Sequence, residues 1–168
     1  MSTLSKERPK EKGGSASTEA RTAYKQDMHA WALEQIELLK AGRFAEIDAL
    51  NIAEEIQDVA EREYDKLESA LAIILLHILQ WDHQPERRSR SWQNSILEHR
   101  ARVERQLRKF PSLKSRTGEA VEERYEDARR WCQIETYIPE VDFAFSGPYE
   151  WEEITARPFV YEDERAKK

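Results

Sequence analysis

His77 is the residue whose type and position most suggest chemistry. It lies inside the apolar run of residues 70–79, so at least one ring nitrogen needs a polar partner within the protein. We favour an ordinary partner, namely a carboxylate, a hydroxyl or a backbone carbonyl. The alternative is a metal ligand, which would make the chain a metal-dependent enzyme centred on His77. Further ligands would then have to come from the following set: Glu54, Glu55, Asp58, His29, His83 and His99.

The sequence lacks the signatures of common catalytic sites. It has no Glu-x-x-His motif of a di-iron bundle, no glycine-rich phosphate loop and no serine motif at a strained turn. Cys132, the single cysteine, lies on a helix face predicted to be buried. The carboxylates of residues 54–65 could act as general acid and base, but such runs are typical of a solvated helix face. We therefore assign no catalytic residue, expect no metal and no cofactor, and favour a protein that is not an enzyme.

Three arginines, Arg87, Arg88 and Arg90, lie between Trp81 and Trp92. Guanidinium groups beside tryptophans can bind phosphate or stack on bases. We favour an internal network in which these arginines pair with carboxylates and fix how the helices cross. The structural or binding cluster expected on this basis comprises Glu54, Glu55, His77, Gln84, Arg87, Arg88, Arg90 and Trp92.

The charges are segregated along the chain. Residues 83–116 have a net charge of +7, whereas residues 24–82 have −8 and residues 117–168 have −7. Internal pairing between these segments is the favoured interpretation. Nucleic-acid binding by the basic helix 87–109 is the alternative, with possible phosphate contacts from Arg102, Arg105, Arg108 and Lys109.

The composition indicates one cytoplasmic domain. The chain has 168 residues, of which 36% are charged, compared with about 25% in an average soluble domain. A single cysteine excludes an internal disulfide and fits a reducing compartment. The longest apolar run is too short to span a membrane, and the basic start lacks the apolar stretch of a secretory signal.

The elements that must position these residues are helices. A first stripe of Met28, Trp31, Ala32, Ile36 and Leu39 ends at Gly42, and Asp48 can cap the next pattern. That next pattern predicts either one long helix or two collinear ones over residues 48–82. Its buried face is expected to comprise Ile52, Ile56, Val59, Ala60, Tyr64, Leu67, Leu71, Ile74, Ile78 and Trp81.

Two more helices and a short terminal one are predicted. One begins at Ser91 and ends before Pro111, and the next ends before Pro139. A short helix is expected over residues 148–154. We therefore predict an all-α, single-domain bundle of four or five helices over residues 24–159, with a short aromatic C-terminal wrap. Residues 1–23 are expected to be a disordered tail and residues 160–168 a charged C-terminal tail.

Several strings resemble the bacterial Domain of Unknown Function 29 family. They are Ala41-Gly42-Arg43-Phe44, Asn51 to Ile56, Leu75 to Leu79, Gln84 to Trp92 and Pro111-Ser112-Leu113. The resemblance covers residues 24–159 and implies an all-helical domain without an established activity. The family's C-terminal cysteine is missing here, because residues 146–149 read Ser-Gly-Pro-Tyr.

These features favour a non-enzymatic helical interaction or scaffold module. Its partner would be another protein or a second copy of the chain, and no membrane is expected. Trp31, Trp81, Trp92 and Trp131 lie in helical stripes and are expected in the core. Trp151 is expected to be the most exposed tryptophan and therefore a candidate interface anchor.

Overall fold

The computed structural model describes residues 24–139, 143, 147 and 149–162. The predicted N-terminal tail and residues 163–168 of the predicted C-terminal tail lie outside the described residues. The described helices are α1 (Met28–Lys40), α2 (Ala49–His83), α3 (Arg90–Lys109), α4 (Thr117–Thr136) and α5 (Trp151–Ala156). Short 3₁₀ turns at Pro85–Arg87 and Pro111–Arg116 flank α3. No strand occurs among these residues, which confirms the all-α fold class.

The chain divides into two compact units, Met1–Val59 and Ala60–Lys168. The domain bounds expected at residues 24 and 159 stay a prediction. Residues 49–83 form one continuous helix rather than two, so α2 contributes to both units. None of the described helices is both long and apolar enough to cross a membrane.

The first unit is a hairpin of α1 and the start of α2. Asp27 caps α1 by accepting a hydrogen bond from the backbone of Ala30 at 2.9 Å. Gly42 follows the helix with a φ of 71°, which favours glycine and agrees with its predicted role as a stop. Asp48 caps α2, as predicted, by accepting from Asn51 at 3.3 Å.

The buried face of this hairpin differs from the predicted one. In α1 the buried residues are Trp31, Gln35 and Leu38. Met28, Ile36 and Leu39 of the predicted apolar stripe are 50%, 43% and 40% exposed, so this stripe is not the buried face of α1. The buried face instead includes Gln35, whose side chain accepts a hydrogen bond from the backbone of Asp48 at 2.7 Å. In α2, Ile56, Val59 and Ala60 are exposed and Ile52 is only half-buried, contrary to prediction.

The second unit contains the main core. From Tyr64 to Trp81 the predicted stripe of α2 is buried, and residues 70–79 are enclosed except for the half-buried Ile73 and His77. Helix α3 adds Ile96 and Val103, and α4 adds Tyr125, Ala128 and Cys132. This confirms that the apolar segment is surrounded by neighbours.

Two helix starts differ from prediction. Helix α3 begins at Arg90, with Ser89 as its cap, because the Ser89 hydroxyl accepts from the backbone of Trp92 at 3.3 Å. Helix α5 begins at Trp151 because Glu150 and Glu153 form a capping box.

Candidate functional site

His77 lies half-buried on α2 and belongs to a hydrogen-bonded chain. Its Nδ1 is 2.8 Å from Oε1 of Gln80, and Nε2 of Gln80 donates to Glu135 Oε2 at 2.5 Å. Because an amide oxygen only accepts, Nδ1 of His77 carries the proton and donates. Burial lowers the pKa of His77, which favours the neutral ring. This series of hydrogen bonds joins α2 to α4.

The described surroundings of His77 contain no assembly of groups suited to metal or nucleophilic chemistry. Among the residues that the structure describes, no three His, Cys, Asp or Glu side chains are placed to hold a metal ion. The Cys132 thiol is fully buried, and this burial raises its pKa to about 11. A thiol in that environment stays protonated near neutral pH and is a weak nucleophile.

The arginines of the predicted cluster have different surroundings. Arg88 donates from Nε to the backbone oxygen of Trp81 at 2.8 Å, and its guanidinium lies 5.2 Å from the centre of the Trp81 ring. It therefore binds the C-terminal end of α2. Arg87 and Arg90 are exposed, and neither has an ion pair within the described residues. Gln84 is buried.

The acidic members of the cluster belong to the first unit, whereas the arginines belong to the second. Glu55 accepts a hydrogen bond from the Tyr24 hydroxyl at 2.6 Å. That bond raises the pKa of Tyr24 to about 12. Glu54 is exposed. The expected network between these carboxylates and the arginines stays a prediction. Trp92 lies beside His77, with ring centres 6.4 Å apart.

The predicted phosphate contacts on α3 are exposed but partly neutralised by their own helix. Arg102 pairs with Glu98 at 2.5 Å, and Arg108 pairs with Glu104 at 3.6 Å. Lys109 lies over the ring of Phe110 at 4.8 Å. Arg105 has no ion pair in the described part of the chain. These pairs weaken the positive field available to a nucleic acid.

A groove of about 560 Å³ lies between α2 and α3. Arg102, Arg105, Lys66 and His99 line it together with Asp65. Lys66 pairs with Glu63 at 2.7 Å, so most of the positive charge in this groove is balanced at its edge.

A larger groove of about 700 Å³ lies between α3, the second 3₁₀ turn and α5. We call it the α3–α5 groove. Among the described residues, its cationic lining residues are Arg100, Arg108 and Lys114, and its acidic lining residue is Glu104. Lys114 is exposed and has no ion pair among the described residues. Its apolar lining residues are Leu97, Ala101, Val103, Leu107, Pro111 and Trp151.

Arg100 holds the wall of the α3–α5 groove in place. Its guanidinium donates to the backbone oxygens of Glu153, Ile154 and Arg157 at 2.9, 2.7 and 2.6 Å. These are carbonyls at the end of α5, where helical partners are missing. Burial lowers the pKa of Arg100, yet arginine stays charged in proteins. Arg100 therefore anchors the C-terminal segment and adds positive charge to the groove.

The α3–α5 groove did not follow from the sequence, and two tryptophans lie in surroundings other than those predicted. Trp151 is half-buried and lines the groove, whereas Trp131, expected in the core, is 42% exposed. A signal in the sequence was Leu97, a large apolar residue directly after Ile96 in the helix predicted from Ser91. Its position beside α5 depends on Arg100, whose partners lie more than fifty positions away.

The family model described as Domain of unknown function DUF29 matches residues 23–160. No curated protein and no solved structure matches the chain.

Proposed function

The chain belongs to the family Domain of unknown function DUF29, a membership that carries no activity with it, and we propose that it is a non-enzymatic helical interaction module. Its partner is a protein, and the binding site is the α3–α5 groove. The observation that supports this proposal is an open apolar groove whose described lining residues include three cationic residues and one acidic residue.

Internal contacts of the polar groups support a non-enzymatic role. His77 is bound to Gln80, Arg88 to the backbone of Trp81, and Asp82 to Arg157. Arg88 closes the turn after α2, Arg157 binds the C-terminal segment to α2, and His77 is connected to α4 through Gln80 and Glu135. Residues with reactive chemistry are thus used to hold helices.

With Cys132 buried and no second cysteine in the sequence, the proposed location is the reducing cytoplasm.

The lining of the groove suggests the chemistry of the partner. Leu97 is 50% exposed, so its side chain is available to an incoming apolar group. An amphipathic helix places apolar residues in such a groove at spacings of three and four, with charged residues beside them. Acidic residues at those flanking positions complement Lys114, which is exposed and has no ion pair among the described residues. The proposed ligand is therefore an acidic amphipathic helix.

Nucleic acid is the less favoured partner of the same helix. Phosphate contacts bury polar groups, whereas the floor of this groove is apolar. Glu98 and Glu104 also pair with two of the arginines expected to contact phosphate. A net charge of −6 on the whole chain further reduces attraction to a polyanion.

The experiment uses a fluorescent amphipathic helical peptide with leucines on one face and glutamates beside them. Fluorescence anisotropy is expected to show binding to the full chain, and a peptide with lysine in place of glutamate is expected to bind roughly tenfold more weakly. Leu97→Ser and Lys114→Glu should each weaken binding of the acidic peptide by roughly tenfold. Ile134→Ser and Arg87→Glu are matched controls, because both residues are exposed and lie outside the groove.

Three results would overturn the proposal. The first is absence of binding by the acidic peptide, and the second is peptide binding that the two groove variants leave unchanged. The third is salt-sensitive binding of a DNA or RNA oligonucleotide, without any binding of the peptide, that is lost in the Arg102→Ala, Arg105→Ala, Arg108→Ala variant.

A further inference from the structure

The first unit leaves an unusual amount of apolar surface exposed. It contains eight of the thirteen exposed large apolar residues of the described chain, although it holds about a quarter of the described positions. In α2, Ile56 and Val59 are 65% and 56% exposed. In α1, Leu33 and Ile36 are 53% and 43% exposed.

The exposed residues are placed at helical spacing. Ile56 and Val59 are three positions apart in α2, and Leu33, Ile36 and Leu39 are three apart in α1. Helix α1 therefore has an exposed apolar face besides the face that carries the buried Trp31 and Leu38. The start of α2 likewise has exposed apolar residues, Ile56 and Val59. A helix that is apolar on more than one face is typical of a helix with neighbours on more than one side.

The hairpin is also acidic. Residues 24–59 contain three basic and eight acidic side chains, a net charge of −5. The described lining residues of the α3–α5 groove include three basic side chains and one acidic side chain, a net charge of +2. Two hairpins facing each other would repel, whereas a hairpin facing the α3–α5 groove is attracted.

We infer that the occupant of the α3–α5 groove is the acidic apolar hairpin of a second copy of this chain. Each copy inserts its hairpin into the groove of the other, which closes a two-fold dimer with two equivalent contacts. This inference rests on the proposed function and names its partner. The N-terminal residues 1–23 are a poorer occupant, because they contain five basic and three acidic side chains and would be repelled by the cationic lining.

The experiment measures the mass of the full chain by sedimentation equilibrium. Wild-type protein is expected to dimerise, and the dimer should dissociate as NaCl rises from about 50 mM to about 500 mM, because the contact joins opposite charges. A hairpin variant (Ile56→Ser, Val59→Ser) and a groove variant (Leu97→Ser, Lys114→Glu) are expected to differ from wild type. Each should raise the dissociation constant of the dimer by roughly tenfold or more. All four residues are exposed, so folding of the variants can be checked by their circular dichroism.

Mixing the two variants distinguishes this arrangement from others. The groove variant keeps a normal hairpin and the hairpin variant keeps a normal groove. One intact contact therefore forms in the mixture, and a heterodimer is expected at concentrations at which each variant alone is monomeric. A hairpin-to-hairpin dimer would gain nothing from mixing, because one of its two faces would still be damaged.

Three outcomes would overturn the inference. They are a wild-type chain that stays monomeric, a dimer that the groove variant leaves unchanged, and a mixture that stays monomeric. A monomeric wild-type chain that still binds the acidic peptide would overturn only the dimer. A wild-type chain that neither dimerises nor binds the acidic peptide would overturn the proposed function as well.

Discussion

Arg157 donates two hydrogen bonds to the carboxylate of Asp82, from Nη1 at 2.8 Å and from Nη2 at 2.5 Å. The Tyr149 hydroxyl donates to the same carboxylate at 3.0 Å. Asp82 is near the end of α2, whereas its two partners flank α5. This relationship ties the C-terminal segment to the central helix and thereby supports one wall of the α3–α5 groove.

Replacing Asp82 should therefore loosen the C-terminal segment. Asp82→Asn keeps the shape but removes the charge, and we expect the free energy of unfolding to fall by about 1–3 kcal/mol. Urea denaturation measures this loss. Glu104→Gln is the matched control, because the exposed pair of Glu104 with Arg108 contributes less than about 0.5 kcal/mol. Equal losses in the two variants would contradict the proposed anchoring role of Asp82.

The same carboxylate should make stability depend on acid. Although burial alone would raise the pKa of Asp82, hydrogen bonds from Arg157 and Tyr149 lower it below the ordinary 3.8. A lowered folded-state pKa means that this stabilisation is present above the ordinary pKa and is lost as pH falls through the folded pKa. Denaturation measured from pH 6 down to pH 2 should show a steeper loss for wild type than for Asp82→Asn. Identical pH profiles would disprove this link.

His77 should contribute a second pH dependence at higher pH. Burial lowers the pKa of His77 in the folded protein below the ordinary 6.5. The stabilisation from the neutral, buried ring is therefore fully present above pH 6.5. It is lost as the pH falls from 6.5 through the folded-state pKa, because the unfolded chain binds the proton more readily. NMR titration should give a folded pKa below 6.5 for this ring. Unfolding measured between pH 7 and pH 5 should lose less stability in His77→Gln than in wild type. The exposed His29 provides a control variant, His29→Gln. A His77 ring that titrates above 6.5 would contradict this prediction.

Arg100 should be irreplaceable by lysine. An ammonium group has no planar fork, so Arg100→Lys cannot reproduce three simultaneous hydrogen bonds to the carbonyls at the end of α5. We expect a loss of about 1–3 kcal/mol in the free energy of unfolding. Hydrogen exchange should also become faster in residues 149–162. Arg105→Lys, on the exposed side of the same helix, is expected to leave both measurements unchanged. Unaltered exchange in Arg100→Lys would contradict the role of Arg100 as an anchor.

Local patterns were sufficient for much of the fold. The stop at Gly42, the cap at Asp48 and the buried segment of α2 follow from backbone geometry and hydrophobic spacing, which act over a few neighbouring residues. The exposure of Ile56 and Val59 did not follow, because a periodic pattern shows that a face is apolar but not whether another element covers it. The buried face of α1 was missed for a similar reason, since Gln35 faces inward to bind the backbone of Asp48.

The residues alone determined that this chain is helical, that its charges are segregated along the sequence, and that His77 needs an internal partner. Only the tertiary structure decided that this partner is Gln80, and that Arg100 and Asp82 draw the C-terminal segment against α2 and α3 to form a groove. Helix formation depends on contacts three and four residues apart, which a sequence displays directly. The groove depends on pairs separated by more than fifty positions, and their meeting is decided by how the whole unit packs.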